Sequence, residues 1–289
     1  EADSAPTPDR DSLSRAKAMM SASPHVSQEE VLRALRNFPK GTAPGASCTR
    51  PQHFLDALND PLIGKESALL SLLTTTVNTL AAGKCPVETG AWLAGAPIHP
   101  LNKEDGGIRP IAVGETLRRL VSKCLVAKKE VKEKTKEILE SCGQFGVGAR
   151  GGADTIILAV RTWLRRHAMR KTRDPSTPPA CALKIDFENA FNTVSRQKVL
   201  DAVAENFPSL LPWVATCYAN PAVLTCQGSR LPFLSECGVQ QGDPLGPLLF
   251  ALALREICLE LRRLPPSLLS LWYLDDGILL GSKEEVLRA

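Results

Sequence analysis

Residues 268–281 read LLSLWYLDDGILLG, two apolar runs that meet at Asp275-Asp276-Gly277. Short apolar runs on either side of an Asp-Gly pair predict two strands joined by a tight bend at 275–277. Adjacent carboxylates there call for something cationic close by. A second stretch gives the pair more weight. In ACALKIDF, residues 180–187, Leu183, Ile185 and Phe187 fall on one face of a strand, with Lys184 and Asp186 on the other. An aspartate at one strand end and a pair at a hairpin tip form a set of hard oxygen ligands suited to Mg²⁺ and substrate phosphates. Two such ions activate an attacking hydroxyl and stabilise the leaving oxygen of a phosphoryl transfer. Carboxylates alone leave polymerase and nuclease both open.

Working outward, the remaining elements divide into a helical beginning and a mixed second half. Ser27 and Glu30 make a capping box before a helix whose apolar positions are Val31, Leu32, Leu35 and Phe38, and KGTAPGAS (40–47) stops it. A helix is expected around 66–82, ended by the Gly83–Pro86 break. Residues 96–113 read as two short strands around Glu104-Asp105-Gly106-Gly107, followed by one long basic helix from about Glu115 to Leu139. The glycine-rich CGQFGVGARGG (142–152) leads into a helix with Ile156, Val160, Trp163 and Leu164 on one side. AVLTC and PFLSE flank QGSRL as a further hairpin, and CGVQQGDPLGP introduces an apolar helix over roughly 245–263. Helices first, then strand, helix, hairpin, helix, hairpin, is an α+β order with an antiparallel sheet, not alternating βα units.

Composition excludes several classes. The 289 residues, 44% hydrophobic and 23% charged, are ordinary for a globular chain of one large or two smaller domains. Nine cysteines form no C-x-x-C pair and are odd in number, which argues against a zinc site and against a disulfide framework; no disulfide partner is expected. The four histidines have no partner at metal spacing. No apolar run approaches the roughly 18 residues of a membrane helix, and no signal segment opens the chain, so no membrane partner and an intracellular location, cytoplasm or nucleus, are expected. Net charge is +4, but residues 102–173 hold 17 Lys/Arg against 8 Asp/Glu, a local +9. That suits a solvated helix face, as in AKKEVKEKTKEILE, or contact with a polyanion. Residues 1–25 are polar and unpatterned and read as a disordered tail.

Five segments, taken in order from about Val26 to Gly281, resemble the reverse transcriptases of non-LTR retrotransposons. VSQEEVLRALRNFPKGTAPGAS is similar to the opening helix and K-G-x-A-P-G segment, and NKEDGGIRPIAV to the fingers hairpin. KIDFENAFNTV resembles the first catalytic-aspartate motif, GVQQGDPLGPLLF the template and nucleotide loop, and WYLDDGILL the second catalytic motif. The resemblance implies a right-hand polymerase with fingers at about 26–180 and 200–240 and palm at about 181–199 and 241–289. It also implies RNA-directed DNA synthesis with RNA template, DNA primer and dNTP as partners and Mg²⁺ or Mn²⁺ as cofactor. Asp186, Asp275 and Asp276 match the metal-binding carboxylates, with the Phe187 carbonyl as a further ligand. Arg109 matches the triphosphate-binding arginine, with Lys103 as companion; Phe191 matches the aromatic that excludes a ribose 2′-hydroxyl, and Gln241 and Gly242 the Q-G of the nucleotide loop.

Two departures stand out. Asn192 occupies a position where the family often carries aspartate, and the chain ends at Ala289, before the primer grip, a later lysine-bearing motif and the thumb, so a fragment with the thumb absent is expected. Competing readings are an RNA-dependent RNA polymerase, which Phe191 argues against, and a decayed or domesticated RNA-binding relative, which the intact carboxylates argue against. A two-metal nuclease leaves the QQGDP loop and the fingers hairpin unexplained.

Overall fold

The computed structural model describes residues 14–16, 18, 23–59, 68–102, 106–226, 232–264 and 268–289. The tail reading for 1–25, Lys103, the 104–105 half of the first turn and the QGSRL loop fall largely or wholly outside these. In chain order the elements are α1 (Gln28–Arg36), α2 (Pro51–Asn59), α3 (Ala68–Ala81), α4 (Val87–Ala94), β1 (Ala96–Asn102), β2 (Ile108–Ala112), α5 (Thr116–Val126), α6 (Lys129–Ser141) and α7 (Gly152–Arg173). There follow β3 (Ala180–Asp186), α8 (Ala190–Thr193), α9 (Arg196–Asn206), a 3₁₀ turn (Pro208–Leu210), α10 (Leu211–Tyr218), β4 (Ala222–Cys226), β5 (Phe233–Ser235), α11 (Gly246–Arg263), β6 (Leu269–Tyr273), β7 (Asp276–Ser282) and α12 (Lys283–Arg288). This is an α+β architecture, as expected. The chain divides into two compact units, one of residues 1–131 and 191–246, the other of 132–190 and 247–289.

In the first unit α1, α3 and α5 pack on one another, burying Val31, Leu35, Val77, Leu80, Leu120, Val121 and Leu125. The capping box opens α1 as its spacing predicts, with Glu30 N–H donating to Ser27 and Ser27 N–H to Glu30. The expected single helix over 115–139 is instead two. Ala127 and Lys128 close the end of α5 with bonds to the Lys123 and Leu125 carbonyls, and the Lys128 ammonium is held by both oxygens of Glu30, at 2.8 and 2.9 Å, and by the His25 carbonyl. That tether turns the chain where helix propensity alone would carry it on. The two hairpins of this unit form one four-stranded sheet in the order β2-β1-β4-β5, joined by parallel pairing of Ala96–Ile98 with Leu224–Cys226.

The second unit is built on the three-stranded antiparallel sheet β3-β7-β6, with β7 central. Leu271, Trp272, Leu279 and Leu280 are buried in it. Helix α7 packs against β6, showing Ile156, Val160 and Trp163 half-buried while Leu164 is exposed. Its arginines 161, 165 and 166 face solvent. None of the nine cysteines is joined in a disulfide, and among the described residues no helix is long and apolar enough to cross a membrane.

Candidate active site

The carboxylates meet through strand register. β3 and β7 pair antiparallel from Ala180↔Ser282 to Asp186↔Asp276, so the last residue of one strand lies opposite the first of the other. Register partners project to the same face of a sheet. Asp275 immediately precedes β7. The expected bend at 275–277 is displaced by one residue: Tyr273 pairs with Asp276, and the turn is Leu274-Asp275. Leu274 supplies the positive φ, at 56°, that a two-residue turn requires. Gly277 is therefore not a turn glycine. A Cβ there would stand 2.5–2.7 Å from three atoms of the Trp272 ring, and that ring stacks on Phe187 at 5.9 Å between centroids. Gly277 is the only residue type that leaves room for the indole under the carboxylates.

The expected cation is Lys184, whose ammonium lies 3.4 Å from Asp276 with both side chains largely in solvent. Such a pair contributes little to stability, and it gives way readily to a stronger cation. Among the described residues no group of three or more histidine, cysteine, aspartate or glutamate side chains is placed to hold a metal ion. Mg²⁺ does not need one: it keeps several waters and is commonly held by one or two carboxylates with substrate phosphates. Asp186 and Asp276, exposed and paired in register at adjacent strand ends, are two carboxylates of that kind, and the half-buried Asp275 precedes Asp276 in the chain.

The residue that braces this turn, Gln144, belongs to none of the sequence motifs. Gly143–Phe145 lies along β6 as a short parallel bridge, Trp272 N–H donating to Gly143 and Phe145 N–H to Trp272, both at 2.8 Å. Between them the fully buried Gln144 takes the Leu274 N–H on Oε1 at 2.7 Å and donates from Nε2 to the Leu274 carbonyl at 3.0 Å. Gly146 N–H shares Oε1 at 3.0 Å. The glycines of CGQFGVGARGG are its signal, since Gly146 admits no Cβ beside the Leu274 backbone, 2.6 Å away.

The other expected site residues belong to the first unit. Arg109 is exposed on β2 opposite Leu101; Lys103 lies outside the described residues. Gly242 stands against the end of β2, where a Cβ would be 2.8 Å from the Ala112 carbonyl. Phe191 opens α8 and its carbonyl accepts from Val239 N–H at 2.7 Å, so it is tied to the same loop as the half-buried Gln241. Phe191, Gln241 and Gly242 are thus tied to one loop, 239–245, while Arg109 lies at the other end of β2 from the Ala112 contact.

That loop is held from beneath by a buried ion pair. Asp243 accepts from Arg118 at 3.0 Å, from the Tyr218 hydroxyl at 2.9 Å and from Leu245 N–H at 3.0 Å. Arg118 also donates to the Ala94 carbonyl at 2.9 Å, and Gln240 Nε2 reaches the same carbonyl at 2.7 Å. Burial alone would lower the Arg118 proton affinity; the facing Cys217, Tyr218 and Asp243 groups outweigh it and raise it. Burial, reinforced by Asp243, pushes the Tyr218 phenol up, so it stays neutral and donates. The sequence carries a faint sign of this network, an arginine at 118 in step with the apolar stripe Val121 and Leu125 of α5.

Residues 101–289 match the model of a protein family described as reverse transcriptase (RNA-dependent DNA polymerase). The chain is 27% identical over 267 residues to the retrotransposable element SLACS 132 kDa protein of Trypanosoma brucei gambiense. That alignment covers 90% of this chain and 21% of the relative, so the chain spans about a fifth of that protein's length. A solved structure of apo telomerase from Candida tropicalis, truncated from the C-terminal domain, aligns at 14% identity with a TM-score of 0.46, over 68% of this chain and 45% of that one.

Proposed function

The chain belongs to the reverse transcriptase family, with a fingers-and-palm fold, and from that premise we propose that it is the RNA-directed DNA polymerase domain of a non-LTR retrotransposon protein. The observation that supports this most is the register that sets Asp186 opposite Asp276 and beside Asp275 on adjacent strand ends. In the reaction the primer 3′-hydroxyl attacks the α-phosphate of a dNTP and pyrophosphate leaves. Asp186 and Asp275 would hold divalent ions, with Asp276 and the Phe187 carbonyl in support, and such ions acidify the attacking hydroxyl and stabilise the leaving oxygen.

The chain's own residues do the rest. Arg109, rigid and always charged, grips phosphate oxygens as a fork. Phe191 fills the volume that a ribose 2′-hydroxyl would need, and Gln241 with Gly242 meets sugar and base. Lys103 is a companion to Arg109, and the exposed basic residues of α6 and α7, among them Lys132, Lys136, Arg161 and Arg165, follow the template backbone by salt-dependent contacts, whereas Arg118 and Arg119 of α5 are buried. Fingers for about 26–180 and 200–240, and palm for about 181–199 and 241–289, are assignments of role in this proposal; the two compact units are groupings by contact.

The test is primer extension on an RNA template by the longest open reading frame containing these residues. Extension should require Mg²⁺ or Mn²⁺ and should vanish in Asp186→Asn and Asp275→Asn while circular dichroism shows the fold retained. Extension by Asp186→Asn within about tenfold of the parent, one decade of rate or 1.4 kcal/mol, would falsify the metal assignment. Preference for rNTP over dNTP would move the chain to RNA synthesis.

A further inference from the structure

We propose that Gln144 is a positioning residue for the catalytic turn, its buried amide fixing the peptide of Leu274 and so the direction of the Asp275 carboxylate. The inference rests on reading Asp186, Asp275 and Asp276 as the metal-binding set. Three observations carry it.

The first is the state of Leu274. A non-glycine residue at φ 56° occupies a region that L side chains visit rarely, and such a conformation persists only where its surroundings impose it. Here the two-residue turn requires it, and a buried amide holds it there, accepting from the Leu274 N–H at 2.7 Å and donating to its carbonyl at 3.0 Å. Gln144 therefore does for Leu274 what a neighbouring strand does for a ladder residue, in the two-residue turn, Leu274-Asp275, that has left the ladder.

The second is that the clamp is itself immobile. Gln144 is fully buried, its flanking peptides are bonded on both sides to Trp272, and Gly146 N–H holds Oε1 from behind. The amide cannot rotate without losing all of its bonds.

The third is selectivity. Asp276 is placed by strand pairing with Asp186 and Tyr273, so its position does not depend on Gln144. Asp275 has no such partner in the ladder; the peptide that precedes it is the one whose carbonyl Gln144 holds. Loss of the clamp should disturb one carboxylate of the set and leave the other two in register. A displacement of about 1 Å near reacting atoms costs about 100-fold in rate.

The experiment is single-turnover primer extension and Mn²⁺ titration by electron paramagnetic resonance, on the longest open reading frame containing these residues. Parent, Gln144→Met, Gln144→Glu, Asp275→Asn and Val286→Ala are compared, the last being a buried position of α12 that serves as a control for lost stability. Gln144→Met should lower kcat by roughly 10- to 100-fold with KM for dNTP unchanged and Mn²⁺ bound more weakly, whereas Val286→Ala loses thermal stability and keeps kcat. Gln144→Glu tests the clamp by a second route and covers the case in which the methionine variant does not fold. A carboxylate only accepts, but its protonated form can accept and donate as the amide does, so its kcat relative to the parent should rise as pH falls. Normal kcat in Gln144→Met beside an inactive Asp275→Asn, or a pH-independent deficit in Gln144→Glu, overturns the clamp and leaves the carboxylate reading standing. Extension by Asp275→Asn overturns the carboxylate reading itself.

Discussion

Replacing Asp243 by asparagine should destabilise the first unit more than any other near-isosteric change in the loop. The side chain keeps its shape and can still accept from Tyr218 or Leu245 N–H, but its charge disappears. Arg118, fully buried with its two terminal guanidinium nitrogens directed at Asp243 and the Ala94 carbonyl, is left with an uncompensated positive charge. Removing one partner of a buried pair costs about 3–5 kcal/mol, against a total stability of about 5–15 kcal/mol for an ordinary domain. Replacing both partners with apolar residues of similar size, Arg118→Met with Asp243→Leu, should cost far less than the two single changes summed, because no orphaned charge remains. The assay is urea unfolding followed by circular dichroism, comparing midpoints at constant slope. A loss below about 1 kcal/mol for Asp243→Asn, typical of an ordinary surface change, or additive effects in the double variant, would refute the view that this ion pair holds the loop. Because Gln241 and Gly242 ride on that loop, a folded Asp243→Asn protein should also show a raised KM for dNTP.

Gly277→Ala should lose about 1–3 kcal/mol through overpacking, since its new methyl would lie 2.5–2.7 Å from the Trp272 ring; an unchanged melting temperature and indole fluorescence would show that the ring moves aside freely. Phe191→Val should raise ribonucleotide incorporation relative to deoxynucleotide in competition assays, and an unchanged ratio with reduced stability would make Phe191 a packing residue only. Burial would raise the Glu30 carboxyl, but its bonds to Lys128 and Ser27 and the Lys128 charge bring it below the ordinary value. Its contribution is therefore complete above the unfolded carboxylate range and fades as pH falls through the depressed native value; Glu30→Gln should flatten that part of the acid limb, and an identical acid limb would remove Glu30 from the account.

What was legible in the sequence was local. The capping box of α1, the strand at β3 and the apolar run of α11 each follow from spacing within a few residues, and the structure keeps all three, although Leu183 on the apolar face of β3 is exposed. Where a distant partner decides, local reading fails. The helix expected over 115–139 breaks because Lys128 is bonded to Glu30, far away in the chain. The parallel join of β1 to β4 has no local signal, and the shift of the bend to Leu274 depends on Gln144, whose role is set by residues about 130 positions later. The proposed metal-binding carboxylates are visible in the sequence as residue types, whereas Arg118, Asp243 and Gln144 matter through burial, which composition does not display.

These three buried polar residues share a physical logic that the exposed site residues lack. Arg109, Asp186 and Asp276 are open to solvent, as the phosphate- and metal-binding roles proposed for them require, and exposure leaves their side chains poorly constrained by packing. Orientation must then come from the backbone that carries them. Backbone direction is fixed most strongly where polar groups have been taken out of water, because an unsatisfied buried donor or acceptor costs more than a satisfied one gains. In the second unit the buried Gln144 amide satisfies both polar groups of Leu274, and in the first the buried Asp243 carboxylate gathers Arg118, Tyr218 and Leu245 around the loop. Each arrangement has few ways to relax without leaving a buried group unpaired, so each converts desolvation into a defined direction for the exposed residue next to it. Substitutions at such positions should therefore show in rate or affinity before they show in gross structure, the reverse of what truncating a purely apolar core residue such as Leu120 or Leu249 would do.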